Sequence, residues 1–292
     1  MDFNNFCKSL LCKVQLYLGS EYETQVKEVT KNNGVILTGI MAKKENSNIY
    51  PTVYINEYYK EDLLTEDIEY IAMKVSNTLK NARMENADIV DEFIDYELAK
   101  SNICLKLINA EENKEMLFDV PHRRFHNLAI CYIYIVNNID GIASVLIKNE
   151  HLKRWDVKEK DIYDQAYINT MNKLPFKIWN LADIVNTCYN LELNNIDIPM
   201  KVVSNEYKIF GANTMLYTDL MKEIGKELDS DFYIIPSSIH EIIVLSNDLT
   251  RTNKEILEMV TEVNKTVVSK EEKLADSVYF YDRALEEVIW IC

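Results

Sequence analysis

Residues 231–245 read DFYIIPSSIHEIIVL. Two short apolar runs, each of strand length, flank Pro236, Ser237 and Ser238, and proline followed by serines is ordinary turn chemistry. The stretch therefore predicts a β-hairpin. Beyond the turn, Ile242 and Val244 occupy one face and Ile243 and Leu245 the other, which predicts a central strand buried on both sides. The same turn carries a serine, His240 and Glu241, the residue types of a hydrolase. On a strand Ser238 and His240 would share a face about 7 Å apart. Serine triads instead draw nucleophile and base from separate elements, with a third group holding the base. A nucleophile elbow needs G-x-S-x-G, whereas Pro236, Ser237 and Ile239 are the neighbours here. The first reading is a structural polar knot whose buried ends need partners. Ser238, His240 and Glu241 stand as catalytic candidates, and Ser237 as a ligand-binding one.

Outward from this hairpin, strands recur in pairs. ETQVKEV (23–29) and VILTGIM (35–41) flank Asn33-Gly34, a positive-φ turn signal, and YPTVYIN (50–56) follows as a third strand. NICLKLI (102–108), FHNLAICYIYIV (125–136) and IASVLIK (142–148) read as strands, the last two joined through residues 137–141. MKVVSN (200–205), YKIF (207–210), SVYFYD (277–282) and EVIWI (287–291) complete the set. Helical spacing marks Phe3, Phe6, Leu10, Val14 and Tyr17; Ile68, Ile71, Ala72, Val75 and Leu79; Ile162, Ala166 and Ile168; Met215, Leu216, Leu220, Ile224 and Leu228; and Ile256, Val260, Val263 and Val267. Hairpins rather than strict strand–helix alternation indicate an α+β fold. A small helix–three-strand–helix domain spans 1–84. A larger mixed α+β domain of hairpins and packed helices spans 85–292, with a turn-rich connector at 190–199 that could divide it into two lobes.

A chain of 292 residues, 48% hydrophobic and 27% charged, has the balance of a soluble globular protein of about two domains. It holds only 6 glycines, where average usage would give about 20. Phosphate-cradling loops need glycine, and neither G-x-G-x-x-G nor G-x-x-x-x-G-K-[ST] occurs, so no nucleotide cofactor is expected. MDFNNFCKSLL lacks a secretory pattern, and the apolar run 128–136 is far short of the ~20 residues of a membrane span. The 6 cysteines are scattered without a C-x-x-C. Cys104 and Cys131 read as small core residues, and a reduced cytoplasmic protein is expected. The net charge of −15 argues against direct nucleic-acid binding. Residues 119–173 carry 7 acidic and 8 basic side chains, net +1. They lie between flanks of net −8 (61–118; 14 acidic, 6 basic) and −9 (174–292; 20 acidic, 11 basic).

Three of the 4 histidines fall in that near-neutral middle. In PHRRFH (121–126), His122 and His126 would share a helix face, a metal-ligand spacing, but no carboxylate or cysteine completes a set and the segment reads as strand. No metal is expected. His122, Arg123 and Arg124 could bind an anion, since guanidinium matches carboxylate or phosphate, or pair with the surplus carboxylates. In KNEHL (148–152), Lys148, Glu150 and His151 are further ligand-binding candidates, and Asn149 reads as a helix cap.

DVPHRRFHNLA (119–129), VLIKNEHLKRW (145–155), SDFYIIPSSIHEIIVLSND (230–248) and YDRALEE (281–287) resemble an uncharacterised domain-of-unknown-function family of anaerobic, low-GC bacteria. KNNGVILTGI and the strand entry Ile49-Tyr50-Pro51-Thr52 extend the resemblance to nearly the whole chain. The order of elements from 119 to 247 is similar to a second uncharacterised bacterial family. The resemblance implies genes carried on mobile elements and brings no activity with it. The expected function is a non-enzymatic accessory protein that binds a protein partner or a small anionic ligand. The resemblance adds a regulatory or defence-countering role. The alternatives are a hydrolase or nucleotide-processing enzyme, built from the serine–histidine turn and the His/Arg segment, and an acidic DNA mimic.

Overall fold

A computed structural model of the chain describes residues 1–45, 50–81, 87–138, 141–181, 200–247 and 252–291. Contacts divide the chain into two units, Met1–Ile94 and Asp95–Cys292. Residues 82–86, across the expected division between 84 and 85, and the expected connector 190–199 lie outside the described residues.

In the first unit, helix α1 (Phe3–Leu18) starts where Asp2 accepts the Asn5 N–H and stops at Gly19, whose φ of 88° a side chain rarely adopts. Phe6, Leu10, Val14 and Leu18 face the core. Burial of each large apolar side chain contributes about 1.5–3 kcal/mol. Tyr17, expected in the core, is exposed and donates its hydroxyl to Glu69, because the true apolar stripe closes on Leu18. Strands β1 (Tyr22–Thr30) and β2 (Ile36–Lys44) form the expected hairpin, with both Asn33 and Gly34 at positive φ. β3 (Thr52–Tyr54) adds to β2. Helix α2 (Thr65–Asn81) buries Ile68, Ile71, Ala72, Val75 and Leu79, and α3 (Ala87–Ile94) follows.

The second unit opens with α4 (Tyr96–Ala99) and an antiparallel four-stranded sheet. Its members are β4 (Ile103–Asn109), β5 (His122–Phe125), β6 (Leu128–Asn138) and β7 (Gly141–Leu146), with α5 (Lys114–Leu117) after β4. β6 is the spine: β4 runs along one edge, and β5 and β7 share the other. Residues 125–136 are thus not one strand. His126 turns the chain at a φ of 55°, and the apolar run resumes as β6, buried from Leu128 to Val136. Helices α6 (Asn149–Trp155) and α7 (Glu159–Lys173) follow. α7 buries Ile162 and Ala166 as expected, but Ile168 is exposed; Asn169 and Thr170 turn inward instead.

A six-stranded antiparallel sheet completes the unit. It comprises β8 (Phe176–Asn180), β9 (Met200–Asn205), β10 (Phe232–Ser238), β11 (Glu241–Ser246), β12 (Tyr279–Asp282) and β13 (Glu287–Trp290) in the order β13-β12-β10-β11-β9-β8. The opening hairpin, β10–β11, is central as expected. YKIF is not a strand. Asn205 gathers it into a tight loop, donating to the Ile209 carbonyl at 2.6 Å and accepting from Tyr207, with Lys208 and Phe210 at positive φ. The helix expected from Met215 to Leu228 is a 3-10 segment, Gly211–Leu216, followed by α8 (Thr218–Leu228). In α9 (Asn253–Thr266), Ile256, Val260 and Asn264 are buried while Val263 and Val267 are exposed, so the stripe turns inward through Asn264 rather than the valines.

Candidate functional site

His240 sits in the tight turn between β10 and β11, and its backbone and ring are bonded on several sides. Its backbone N–H donates to Ser238 Oγ at 3.0 Å. Its carbonyl accepts from Ser204 Oγ at 2.6 Å, and its ring Nδ1 accepts the Phe210 N–H at 3.2 Å. The imidazole stacks on the Phe210 ring, and Lys106 Nζ lies 4.7 Å from that ring's centre. With Nδ1 an acceptor, Nε2 carries the proton of the neutral ring and faces Glu272 Oε1 at 3.8 Å. Burial holds the His240 pKa down, against the pull of Glu272. Burial raises the Glu241 carboxyl, and Lys208 opposes it. Among the described side chains no serine hydroxyl bonds either ring nitrogen. The Ser237 side chain lies outside the described residues.

The turn also docks the 3-10 segment. Ala212 N–H donates to the Ile239 carbonyl, and a Cβ on Gly211 would collide with Ser204 Oγ and the His240 carbonyl oxygen. From that anchor Asn213 reaches β4. It accepts the Leu107 N–H at 2.9 Å and donates to the Leu105 carbonyl at 2.6 Å. Lys106, Phe210, Gly211 and Asn213 are not among the site residues expected from the sequence. One signal was present: in a chain with 6 glycines, a glycine placed between a strand and a helix marks close backbone approach.

The other candidates assemble elsewhere. Lys148 Nζ pairs with Asp119 Oδ2 at 3.2 Å, Asn149 N–H donates to the Asp119 carbonyl, and Asn149 Nδ2 to the Phe118 carbonyl. Segments 119–126 and 148–151 therefore meet. Asn149 is not the cap: His151 Nδ1 accepts the Lys148 N–H at 3.0 Å, a role that requires that nitrogen unprotonated, and burial lowers the His151 pKa. Glu150 is exposed and lies 3.7 Å from His151 Nε2. His122 Nδ1 bonds the Val120 carbonyl at 2.8 Å. Arg123 Nε donates to Glu159 Oε1 at 2.6 Å and its guanidinium lies over the Tyr163 ring, while the Tyr132 hydroxyl bonds the same Glu159 oxygen. Arg124 is exposed on β5. His126 Nε2 bonds the Val288 carbonyl, tying this sheet to β13.

Among the described residues no hydrogen bond, ion pair or ring contact joins Ser238, His240 or Glu241 to His122, Arg123 or Glu150. Nor does any group of three or more His, Cys, Asp or Glu among them stand where it could hold a metal ion. Cys104 and Cys131 are core residues whose thiols burial pushes up to about 12. No helix among the described residues is long and apolar enough to cross a membrane.

A model of a family of unknown function, DUF5688, matches residues 3–283. No curated protein and no solved structure matches.

Proposed function

The chain belongs to DUF5688, a family of unknown function, and from its own geometry we propose that it acts as an accessory protein that binds a protein partner. The observation that carries this reading is Phe118. Its ring is 85% exposed at the place where the two middle candidate segments meet, beside the Asp119–Lys148 ion pair. An exposed aromatic rimmed by charges is the composition of an interface anchor. A small anion is the less favoured ligand, because Arg123 and Lys148 are already engaged by Glu159 and Asp119 and a carboxylate would have to be displaced. A regulatory or defence-countering role on a mobile element, implied by the family resemblance, would be exercised through this contact. Supporting a binding role over hydrolysis, Ser238 Oγ accepts the His240 N–H, and the His240 ring and carbonyl are held by Phe210 and Ser204.

The test is a pull-down from native lysate with wild type, Phe118→Asp and Leu285→Asp, the last an exposed apolar control in the β12–β13 turn. A stoichiometric partner kept by wild type and Leu285→Asp and lost by Phe118→Asp is expected. Recovery of no stoichiometric partner, or equal loss in both variants, overturns the reading.

A further inference from the structure

We infer that a second copy of this chain pairs with the free edge of β1, antiparallel about a two-fold axis at Gln25. The hydrogen-bond parity of β1 fixes which groups are available. Glu45 N–H donates to the Glu21 carbonyl and Lys31 N–H to the Val35 carbonyl. Both pairs extend the β1–β2 register, so odd-numbered residues of β1 exchange hydrogen bonds with β2. The backbone groups of Tyr22, Thr24, Val26, Glu28 and Thr30 then point away from β2. Gln15 covers the first of these, donating to the Tyr22 carbonyl at 2.9 Å. Among the described residues no strand pairs with the rest.

The two faces of β1 favour one partner. Tyr22, Thr24 and Val26 face inward and are half-buried, with Tyr22 and Val26 packed at the rim of the core. A strand laid beside them would complete that burial. Glu23, Gln25 and Lys27 face outward and are exposed. With the axis at Gln25, Thr24 of each copy exchanges both backbone hydrogen bonds with Val26 of the other. Glu23 then lies opposite Lys27 twice, in non-hydrogen-bonded positions where side chains approach most closely. Moving the axis to Val26 sets Glu23 against Val29 and Lys27 against Gln25. Moving it to Lys27 sets lysine against lysine at the axis and leaves Glu23 only Lys31, beyond the end of the strand, as an opposite charge. Within β1, opposite charges pair only in the Gln25-centred register.

Sedimentation velocity on the full chain tests this. Wild type is expected to show a concentration-dependent monomer–dimer equilibrium. Glu23→Lys and Lys27→Glu each create like-charge pairs and should weaken the dimer about tenfold or more, and the double variant Glu23→Lys/Lys27→Glu should restore it to within about threefold of wild type. Circular dichroism confirms that each variant, changed only at exposed positions, is folded. A wild-type chain that stays monomeric up to its solubility limit overturns the inference. So does a dimer indifferent to the single reversals or not restored by the double.

Discussion

Two of the edge strands in this molecule, β4 and β1, have their edges finished in opposite ways. The outward backbone groups of β4 are taken up by side chains. Thr170 Oγ1 accepts the Leu105 N–H, Asn169 donates to the Ile103 carbonyl, and Asn213 bonds both Leu107 N–H and the Leu105 carbonyl. β1 has Gln15 at its first residue and exposed charges on its outer face. The difference follows from burial. β4 is inside the larger unit, where an unpaired N–H or C=O costs about 1–3 kcal/mol, so amide and hydroxyl side chains stand in for a missing strand. β1 meets water, which satisfies the same groups at no such cost and leaves them open to a partner strand. In this pair the interior edge is capped from within the chain, and the exposed edge is open to a partner strand.

The strongest way to break this comparison is to strip the cap. Asn213→Leu keeps the branched shape of the side chain and leaves a buried donor and a buried acceptor without partners. A loss of about 2–5 kcal/mol is expected from two such groups, read as a fall in the urea midpoint without a change in slope. A loss below about 1 kcal/mol would mean that water reaches the β4 edge, and the contrast with β1 would fall away.

A smaller effect is expected one step behind the cap. Gly211→Ala leaves Asn213 intact but places a Cβ against Ser204 Oγ and the His240 carbonyl, with Ser204 Cα at 2.8 Å. Because these contacts include backbone, the 3-10 segment must shift, at a cost of about 1–3 kcal/mol. Thermal unfolding measures it, and a neutral Gly211→Ala would show that the His240 turn does not position the cap.

This chain of supports marks what could be read from sequence and what could not. The hairpins at Asn33-Gly34, at 232–246 and at 279–290 follow from local alternation and turn residues. The stripes of α1 and α2 follow from helical spacing. All of these depend on neighbours a few residues away. The misread places depend on distant groups. Lys208 and Phe210 take left-handed backbone without being glycine because Asn205 clamps the loop. Asn264 displaces Val263 from the core because it donates to the Ala275 carbonyl and Asp276. Asn169 and Thr170 turn inward because β4 needs them, which no periodicity in α7 records. At the candidate site the polar knot was legible as a type of feature. Its purpose was not, since Asn213 and Leu105 are 108 residues apart.

The smallest expected effect concerns pH, and within the turn that braces the β4 edge it takes opposite signs at two neighbouring groups. The His240 pKa is held below its usual 6.5 by burial, with Lys106 adding to that effect and Glu272 and Glu271 opposing it. Between the folded value and 6.5 the unfolded chain binds more protons, so His240 contributes stability that is present above 6.5 and lost as pH falls. A proton at Nδ1 would also remove the acceptor of the Phe210 N–H and loosen the turn that anchors the cap. Glu241 acts in the other direction. Its carboxyl is raised above the usual 4.5, so its contribution is present below 4.5 and lost as pH rises, with Lys208 and Glu272 as the charges that tune it. His240→Asn supplies an amide oxygen in place of Nδ1 and cannot titrate. Wild type should therefore lose more stability than His240→Asn when urea midpoints are followed from 6.5 downward. Parallel profiles would mean that the imidazole keeps its ordinary pKa, and that the turn bracing the β4 edge is as open to water as β1.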